Sequence, residues 1–171
     1  VERLSARQRE EIGVVLSDSG FSGYLCVADL IPVLKSLYPD FDKVDFIEKC
    51  RQFSIPMNQP IKEFSTGMKA KLKVLIAMSH DAKLLILDEP TSALDPIAEK
   101  KLYDKIYTMM EQKTMLMISH RLQSTAVCDS ILFMKSGKIT EQGSHEALME
   151  QNGAYARMFA LQANWYQEKE V

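Results

Sequence analysis

The chain has little of the charge excess, the long apolar runs or the paired cysteines that mark several classes of protein. Its 21 Lys and Arg residues face 23 Asp and Glu residues, so no basic excess predicts a nucleic-acid partner. No apolar run approaches the length of a membrane-spanning helix, and no signal peptide is visible. The 3 cysteines lie far apart without C-x-x-C spacing, which favours reduced thiols in a core. A hydrophobic content of 46% in 171 residues instead indicates a packed globular chain.

Strand and helix patterns alternate along most of the chain. Short apolar runs predict strands at residues 12–16, 84–87, 114–119 and 130–134. Helical periodicity predicts helices at residues 97–112, 146–151 and 154–166. A turn at Ser136 and Gly137 is expected to close a hairpin with residues 138–141. Residues 24–80 are expected to form a mostly helical insertion between strands. Together these patterns predict an α/β fold with a parallel sheet that is covered on both faces.

The helix predicted at residues 65–80 begins with features that suit a phosphate. Ser65 is expected to be its N-cap, and Gly67 follows closely. A helix N-terminus presents free N–H groups and the positive end of the helix dipole, which favour an anion, although an ordinary capped helix has the same features. The apolar face is expected to contain Met68, Leu72, Leu75, Ile76 and Ser79, with Lys69, Lys71 and Lys73 pointing away.

Two acids directly follow the strand predicted at residues 84–87. Open parallel sheets place their ligand chemistry at this end of the strands, where Asp88 and Glu89 stand. One carboxylate of such a pair can hold a hard cation while the other polarises a water molecule, but an acid pair can also simply cap the next turn. His120 ends the following strand and can contact a terminal phosphate, although a solitary histidine there is more often structural.

The sequence lacks the glycine-rich phosphate loop of the form G-x-x-x-x-G-K-[ST] that usually accompanies such acids. Three elements are nevertheless present in a fixed order and spacing: residues 65–67 at a helix start, Asp88 and Glu89 after an apolar strand, and His120. In this order and spacing they resemble the nucleotide-binding domain of ATP-binding cassette (ABC) transporters. The resemblance runs from about residue 11 to residue 166. It implies a partial P-loop NTPase (RecA-like) fold, with a mostly parallel sheet and an inserted α-helical subdomain.

The resemblance also implies a role for each residue of the acid-rich segment. Asp88 matches the Walker B aspartate on the Mg²⁺ side, and Glu89 matches the catalytic glutamate that polarises the attacking water. Ser92 and Asp95 match the D-loop, which crosses the interface between two such domains and faces the nucleotide. His120 matches the switch histidine that contacts the γ-phosphate.

Residues 64–68 match the ABC signature motif, which is normally Leu-Ser-Gly-Gly-Gln, so they are expected to contact the nucleotide. Thr66 replaces the first glycine of the motif and Met68 replaces the glutamine, whereas Ser65 and Gly67 are retained. A phosphate contact is therefore expected to remain, with altered geometry.

By the same resemblance, ATP and Mg²⁺ are the expected ligands. The expected partners are the transmembrane domain of an ABC transporter and a second nucleotide-binding domain in a head-to-tail dimer, with no nucleic acid. The expected location is cytoplasmic, at the inner face of the cell membrane. Residues 1–23 correspond to a strand and a degenerate Q-loop region, residues 24–80 to the helical subdomain with the signature, and residues 81–171 to the catalytic core. Residues 92–166 resemble exporters whose ATPase domain ends the polypeptide.

The departures from the family pattern lie near the start of the chain. The Walker A loop is expected roughly 40–50 residues before Ile12, and the chain begins only 11 residues before that strand. The glutamine expected after the strand is missing, with Ser17 and Asp18 in that region, where Asp18 can substitute as a polar link to metal-bound water. We expect the absent Walker A strand to leave residues 84–87 with an unpaired backbone and an exposed apolar flank, so that the isolated chain is unstable, dimeric or aggregation-prone.

Two alternatives to a transporter ATPase remain open at this point. The missing loop and the altered signature are also compatible with a catalytically inactive half-domain, an interaction module that contributes a signature helix to a partner. An ABC-type ATPase that acts outside transport, in translation or DNA repair, is a further possibility.

Overall fold

The computed structural model describes residues 4–17, 20–91, 94–109 and 113–167. Two compact units are present, Val1–Ile118 and Ser119–Val171, and each is described by itself. The domain boundaries expected at residues 23 and 80 both fall within the first unit and stay predictions. In chain order the elements are α1 (Ala6–Glu10), β1 (Ile12–Val15), α2 (Val27–Leu37), α3 (Lys43–Gln52), a 3-10 turn (Ile61–Glu63), α4 (Thr66–Ala77), β2 (Leu84–Asp88), α5 (Pro96–Met109), β3 (Thr114–Ile118), α6 (Leu122–Thr125), β4 (Ile131–Lys135), β5 (Lys138–Gly143), α7 (His145–Glu150) and α8 (Ala154–Gln167).

The first unit is built on a three-stranded parallel sheet with the order β1-β2-β3. The register pairs Val14 with Ile86 and Ile86 with Leu116, so the strands end at the same edge. The three strands predicted for this unit and the α/β class are therefore confirmed. The prediction of a mostly helical insertion at residues 24–80 is confirmed as well, since α2, α3, the 3-10 turn and α4 all lie between β1 and β2.

Strand β2 lies at the centre of this sheet, with β1 on one side and β3 on the other. The prediction that residues 84–87 have an unpaired backbone is therefore wrong. It assumed that the Walker A strand is the neighbour of β2, whereas β3 occupies that position. Among the strands that the structure describes, the free edges belong to β1 and β3.

The two faces of the sheet differ in burial. Val15, Leu85 and Leu87 are fully buried in a core shared with the helices, which includes Leu72 and Leu75 of α4. Alternate residues of a strand point to opposite faces, so the other face carries apolar side chains as well. On that face Val14 is 49% exposed, Leu116 48% and Ile118 51%. The sequence predicts a sheet that is covered on both faces, and the exposure of these three side chains shows that this is wrong for the second face in the part of the chain that the structure describes.

The second unit contains an antiparallel hairpin of β4 and β5 with three short or terminal helices. Ser136 and Gly137 both have positive φ values, 51° and 75°, which suit the tight turn of a two-residue hairpin and confirm the predicted hairpin. Leu148 and Tyr155 are fully buried in the core of this unit. Across the described ranges, none of the helices combines the length and apolar composition needed to cross a membrane.

Candidate functional site

A cleft of about 300 Å³ lies where β1 and β2 end in the first unit. Ser17 and Glu89 line it from the loops that follow the two strands, and Thr66 and Lys69 line it from α4. Two groups that are far apart in sequence, the acid after β2 and the start of the predicted signature helix, therefore share one cleft. This is the edge at which open parallel sheets place their ligands.

Asp88 and Glu89 adopt a defined geometry at the end of β2. Asp88 is half-buried, and the hydroxyl of Ser17 donates to its Oδ2 across a long 3.4 Å. The backbone N–H of Glu89 donates to the carbonyl of Ile118 at 3.0 Å, which ties the end of β2 to β3. Glu89 has a φ of 44°, a left-handed conformation that costs on the order of 1–3 kcal/mol outside glycine and clusters at functional sites. The sheet therefore holds Glu89 in a strained turn that places it in the lining of the cleft.

The N-terminus of α4 has the capping that the sequence predicts. Ser65 Oγ accepts a hydrogen bond from the backbone N–H of Met68 at 3.2 Å, which confirms Ser65 as the N-cap. The amides of Thr66 and Gly67, like the first amides of any helix, have no intrahelical acceptor. A Cβ at Gly67 would lie 2.7 Å from the Cδ2 of Leu94, so glycine allows close packing against the segment that follows the acids.

Lys73 differs from its predicted position on the solvent side of α4. Its Nζ donates to the carbonyls of Leu16 at 3.3 Å and Ser17 at 3.1 Å, so the lysine bonds the loop after β1. The prediction that Lys73 points away is wrong because the loop after β1 folds over this side of the helix. Lys69 and Lys73 both line the cleft and bring positive charge to it.

A buried polar contact fixes the segment after Glu89. Thr91 is 3% exposed, and its hydroxyl donates to Glu99 Oε1 at 3.1 Å and lies 3.2 Å from the hydroxyl of Tyr103. Glu99 and Tyr103 are one helical turn apart on α5 and are both buried. Sequence reasoning missed this anchor, although the i, i+4 spacing of the two residues was a signal that they share a face.

Asp95 caps α5. Its Oδ1 accepts hydrogen bonds from the backbone N–H groups of Ile97 at 3.1 Å and Ala98 at 2.9 Å. The nucleotide contact expected of Asp95 stays a prediction. Ser92 and Asp18, which the sequence also singled out, lie outside the described residues.

His120 belongs to the second unit, where it is exposed just after β3. Its backbone carbonyl accepts a hydrogen bond from Nε2 of Gln162 at 2.7 Å. Gln162 lies on α8, 42 residues further along the chain, and nothing in the sequence pattern signals this contact.

Comparisons with known proteins converge on one family. A family model described as "ABC transporter" matches residues 3–92, which is more than half of the chain. Among similar curated proteins, an "ATP-dependent lipid A-core flippase" of Hahella chejuensis is 36% identical over 141 residues, which cover 81% of this chain and 24% of that protein. A protein of the same name from Haemophilus influenzae is 34% identical over 135 residues, covering 78% of this chain and 22% of that protein. The chain thus spans about a quarter of the length of these relatives.

A similar solved structure is described as that of a bacterial Atm1-family ABC exporter with ATP bound. It superposes with a TM-score of 0.78 over 91% of this chain and 29% of that chain. At 24% sequence identity, this likeness shows the fold alone. The fold is therefore that of a partial P-loop NTPase with a helical insertion, as the sequence predicts.

Proposed function

The chain belongs to the ABC transporter family, and on that premise we propose that it is the water-activating part of an ATPase domain whose ATP hydrolysis energises export across a membrane. The observation that carries the proposal is the position of Glu89. It lines one cleft together with Thr66 at the start of α4, next to the half-buried Asp88. A carboxylate at the carboxyl end of a buried parallel strand suits the activation of a water that attacks a phosphate.

Each residue of the site has a distinct task in this proposal. Glu89 accepts a proton from the attacking water, as a general base. The α4 N-terminus, with Ser65 and Gly67, directs its amides at a nucleotide phosphate. In the family arrangement, that nucleotide is held by the phosphate loop of a second domain, whereas Glu89 and Asp88 serve the nucleotide held by the phosphate loop of their own domain. His120 contacts the terminal phosphate, and Asp95 faces the partner domain from the start of α5.

Asp88 is the residue proposed to hold Mg²⁺. The residues present fit this ion, because a carboxylate with a hydroxyl 3.4 Å away offers the hard oxygen ligands that it prefers. Within the described ranges no group of three or more His, Cys, Asp or Glu residues could hold a metal, so water and phosphate oxygens would complete the shell. Bound there, Mg²⁺ supplies charge neutralisation on the phosphate oxygens.

The partners and location follow from the family in the same way. We propose that a transmembrane domain and a second nucleotide-binding domain complete the transporter, and that the chain lies at the inner face of the membrane. The relatives named as lipid A-core flippases favour an exporter, and the membrane-spanning part is expected to select what is carried. They favour this function over the inactive interaction module and over ATPases of translation or DNA repair.

The proposal is tested by Glu89→Gln in the complete polypeptide that contains this chain. Loss of the general base should lower steady-state ATP hydrolysis by on the order of 10²- to 10⁴-fold. Binding of Mg-ATP, measured by calorimetry, should persist, because Glu89 acts on water rather than on the nucleotide. The matched control is Glu63→Gln, which changes an exposed glutamate and should leave both quantities unchanged. Unaltered turnover in the Glu89 variant would sink the proposal.

A further inference from the structure

Gln162 contacts the segment around His120 with both ends of its amide. Its Oε1 accepts a hydrogen bond from the backbone N–H of Leu122 at 2.9 Å, and its Nε2 donates to the carbonyl of His120 at 2.7 Å. The two backbone groups flank Arg121, so one side chain holds the residues on either side of it. Both distances are within the normal range for an N–H···O bond.

The same segment is also bonded within itself. The backbone N–H of Arg121 donates to Ser119 Oγ at 3.0 Å, and the hydroxyl of Ser124 donates to the carbonyl of Arg121 at 2.7 Å. These local bonds shape the turn, but they do not contact the carbonyl of His120. Gln162 supplies that contact from a different element of the same unit, helix α8.

Helix α8 is itself anchored at its start. The carboxylate of Glu141 accepts hydrogen bonds from the backbone N–H groups of Ala154 at 2.6 Å and Tyr155 at 3.0 Å. Tyr155 is fully buried, and its hydroxyl lies 2.8 Å from Nδ1 of His145. Two turns further on, Gln162 is therefore presented from a helix that the core of the unit fixes in place.

An amide is the side-chain group that this contact requires. The carbonyl of His120 needs a donor and the N–H of Leu122 needs an acceptor, and a side-chain amide carries one of each. Glutamate at position 162 would keep the size and the acceptor, but it would place an oxygen against the His120 carbonyl. Two acceptor oxygens that face each other without a proton between them repel, so the exposed segment would tend to move away from α8.

We propose that Gln162 is a positioning residue for His120, and that α8 thereby sets where the switch histidine stands in the ATPase cycle. The inference rests on the proposed function, since His120 acts on the terminal phosphate only there. Gln162 itself does not touch the nucleotide. It acts by fixing the backbone from which the His120 side chain extends.

The test compares Gln162→Ala and Gln162→Glu in the complete polypeptide with the matched control Gln151→Ala, which removes an exposed glutamine of the same unit. Amide hydrogen exchange at Leu122 reports the hydrogen bond directly, with or without nucleotide. Both Gln162 variants should speed that exchange. They should also lower kcat on the order of 10- to 100-fold, the usual cost of misplacing a reacting group. KM should stay within about twofold of its value in the unsubstituted protein. The control should change neither. If Gln162→Ala unfolds the unit, the isosteric Gln162→Glu decides the result.

A double substitution separates positioning from general stability. In a His120→Ala background, Gln162→Glu should cause no further loss of kcat, because its target is already gone. A further loss as large as in the unsubstituted background would overturn the proposal, as would unchanged exchange at Leu122. If the unsubstituted protein hydrolyses no ATP, the proposed function fails and the catalytic role of Gln162 fails with it. The exchange of Leu122 still shows in that case whether the hydrogen bond exists.

Discussion

At the scale of single residues, His80 is the clearest case of a titratable group held in an apolar setting. It is 3% exposed, its ring stacks on Tyr38 with centroids 3.9 Å apart, and its Nε2 lies 3.4 Å from the carbonyl of Ile12. Burial lowers the pKa of His80 below its usual value, against the opposing effect of that carbonyl, and the charge of Lys113 lowers it further. Because the unfolded chain binds this proton more readily, stability falls as the pH drops through about 6.5, the ordinary pKa of histidine.

We therefore expect a His80→Phe variant to keep the stacking on Tyr38 while losing part of the acid sensitivity. Urea midpoints at pH 7.5 and 5.5 measure the difference, since protonation of a buried imidazole opposes folding. If the urea midpoint falls equally between pH 7.5 and 5.5 in the His80 variant and in the unsubstituted chain, His80 is not the source of the acid sensitivity.

The residues with distinctive chemistry could be predicted from the sequence, but many of their contacts could not. Ser65 was predictable as a cap because the backbone N–H that donates to it, that of Met68, lies three residues along the same helix. Lys73, Thr91 and Gln162 bond groups on other elements, and their long or rotatable side chains give no signal of direction. Such contacts depend on how loops fold over helices, which residue patterns do not encode.

At the scale of elements, the close contact between β1 and α4 depends on Gly13. A Cβ at this position would overlap the backbone carbonyl of Ala77 and approach Leu85 at 3.1 Å. Backbone cannot rotate away as a flexible side chain can, so the strand or the helix would have to move. The contact therefore links the sheet that carries Glu89 to the helix whose start lines the cleft.

Gly13→Ala should consequently destabilise the chain by about 1–3 kcal/mol, the usual cost of overpacking. Chemical denaturation measures the change. Gly20→Ala is the matched control, because a Cβ there meets nothing within 4 Å, and it should change stability by less than about 0.5 kcal/mol. Equal stability of the two variants would show that β1 and α4 are not packed as described.

The elements themselves followed from periodicity better than their arrangement did. The strands β1, β2 and β3 and the hairpin were predictable because short apolar runs and Ser136-Gly137 are local signals. The order of strands in a parallel sheet is set by long-range packing, which explains why β2 was misplaced at an edge. Helix α6 has only 4 residues, too few to show a helical period.

At the scale of the whole molecule, the open face of the sheet has a physical consequence. Val14, Leu116 and Ile118 are each about half exposed on that face, and contiguous apolar surface of this kind promotes association. We expect the isolated chain to self-associate or aggregate as its concentration rises. Light scattering coupled to size-exclusion chromatography measures this. A monomer with a sharp thermal transition across the concentration range would contradict the expectation.

A charged residue on the open face should reduce that association. Leu116→Lys is expected to shift the population toward monomer, because a lysine amine opposes burial against another apolar surface. The control is Ile97→Lys on α5, where the side chain is 68% exposed. It should leave association unchanged. A shift of the same size in both variants would point to net charge rather than to the open face.

We propose that this chain holds the water-activating half of an ATPase site without the phosphate loop that binds the nucleotide. The acids, the α4 N-terminus and His120 are present, whereas no G-x-x-x-x-G-K-[ST] motif occurs in the 171 residues. The most direct measurement is calorimetric titration of the isolated chain with Mg-ATP. No saturable binding is expected at micromolar concentration. Tight binding of Mg-ATP by the monomeric chain would contradict this proposal, because the nucleotide would then be held by groups other than a phosphate loop.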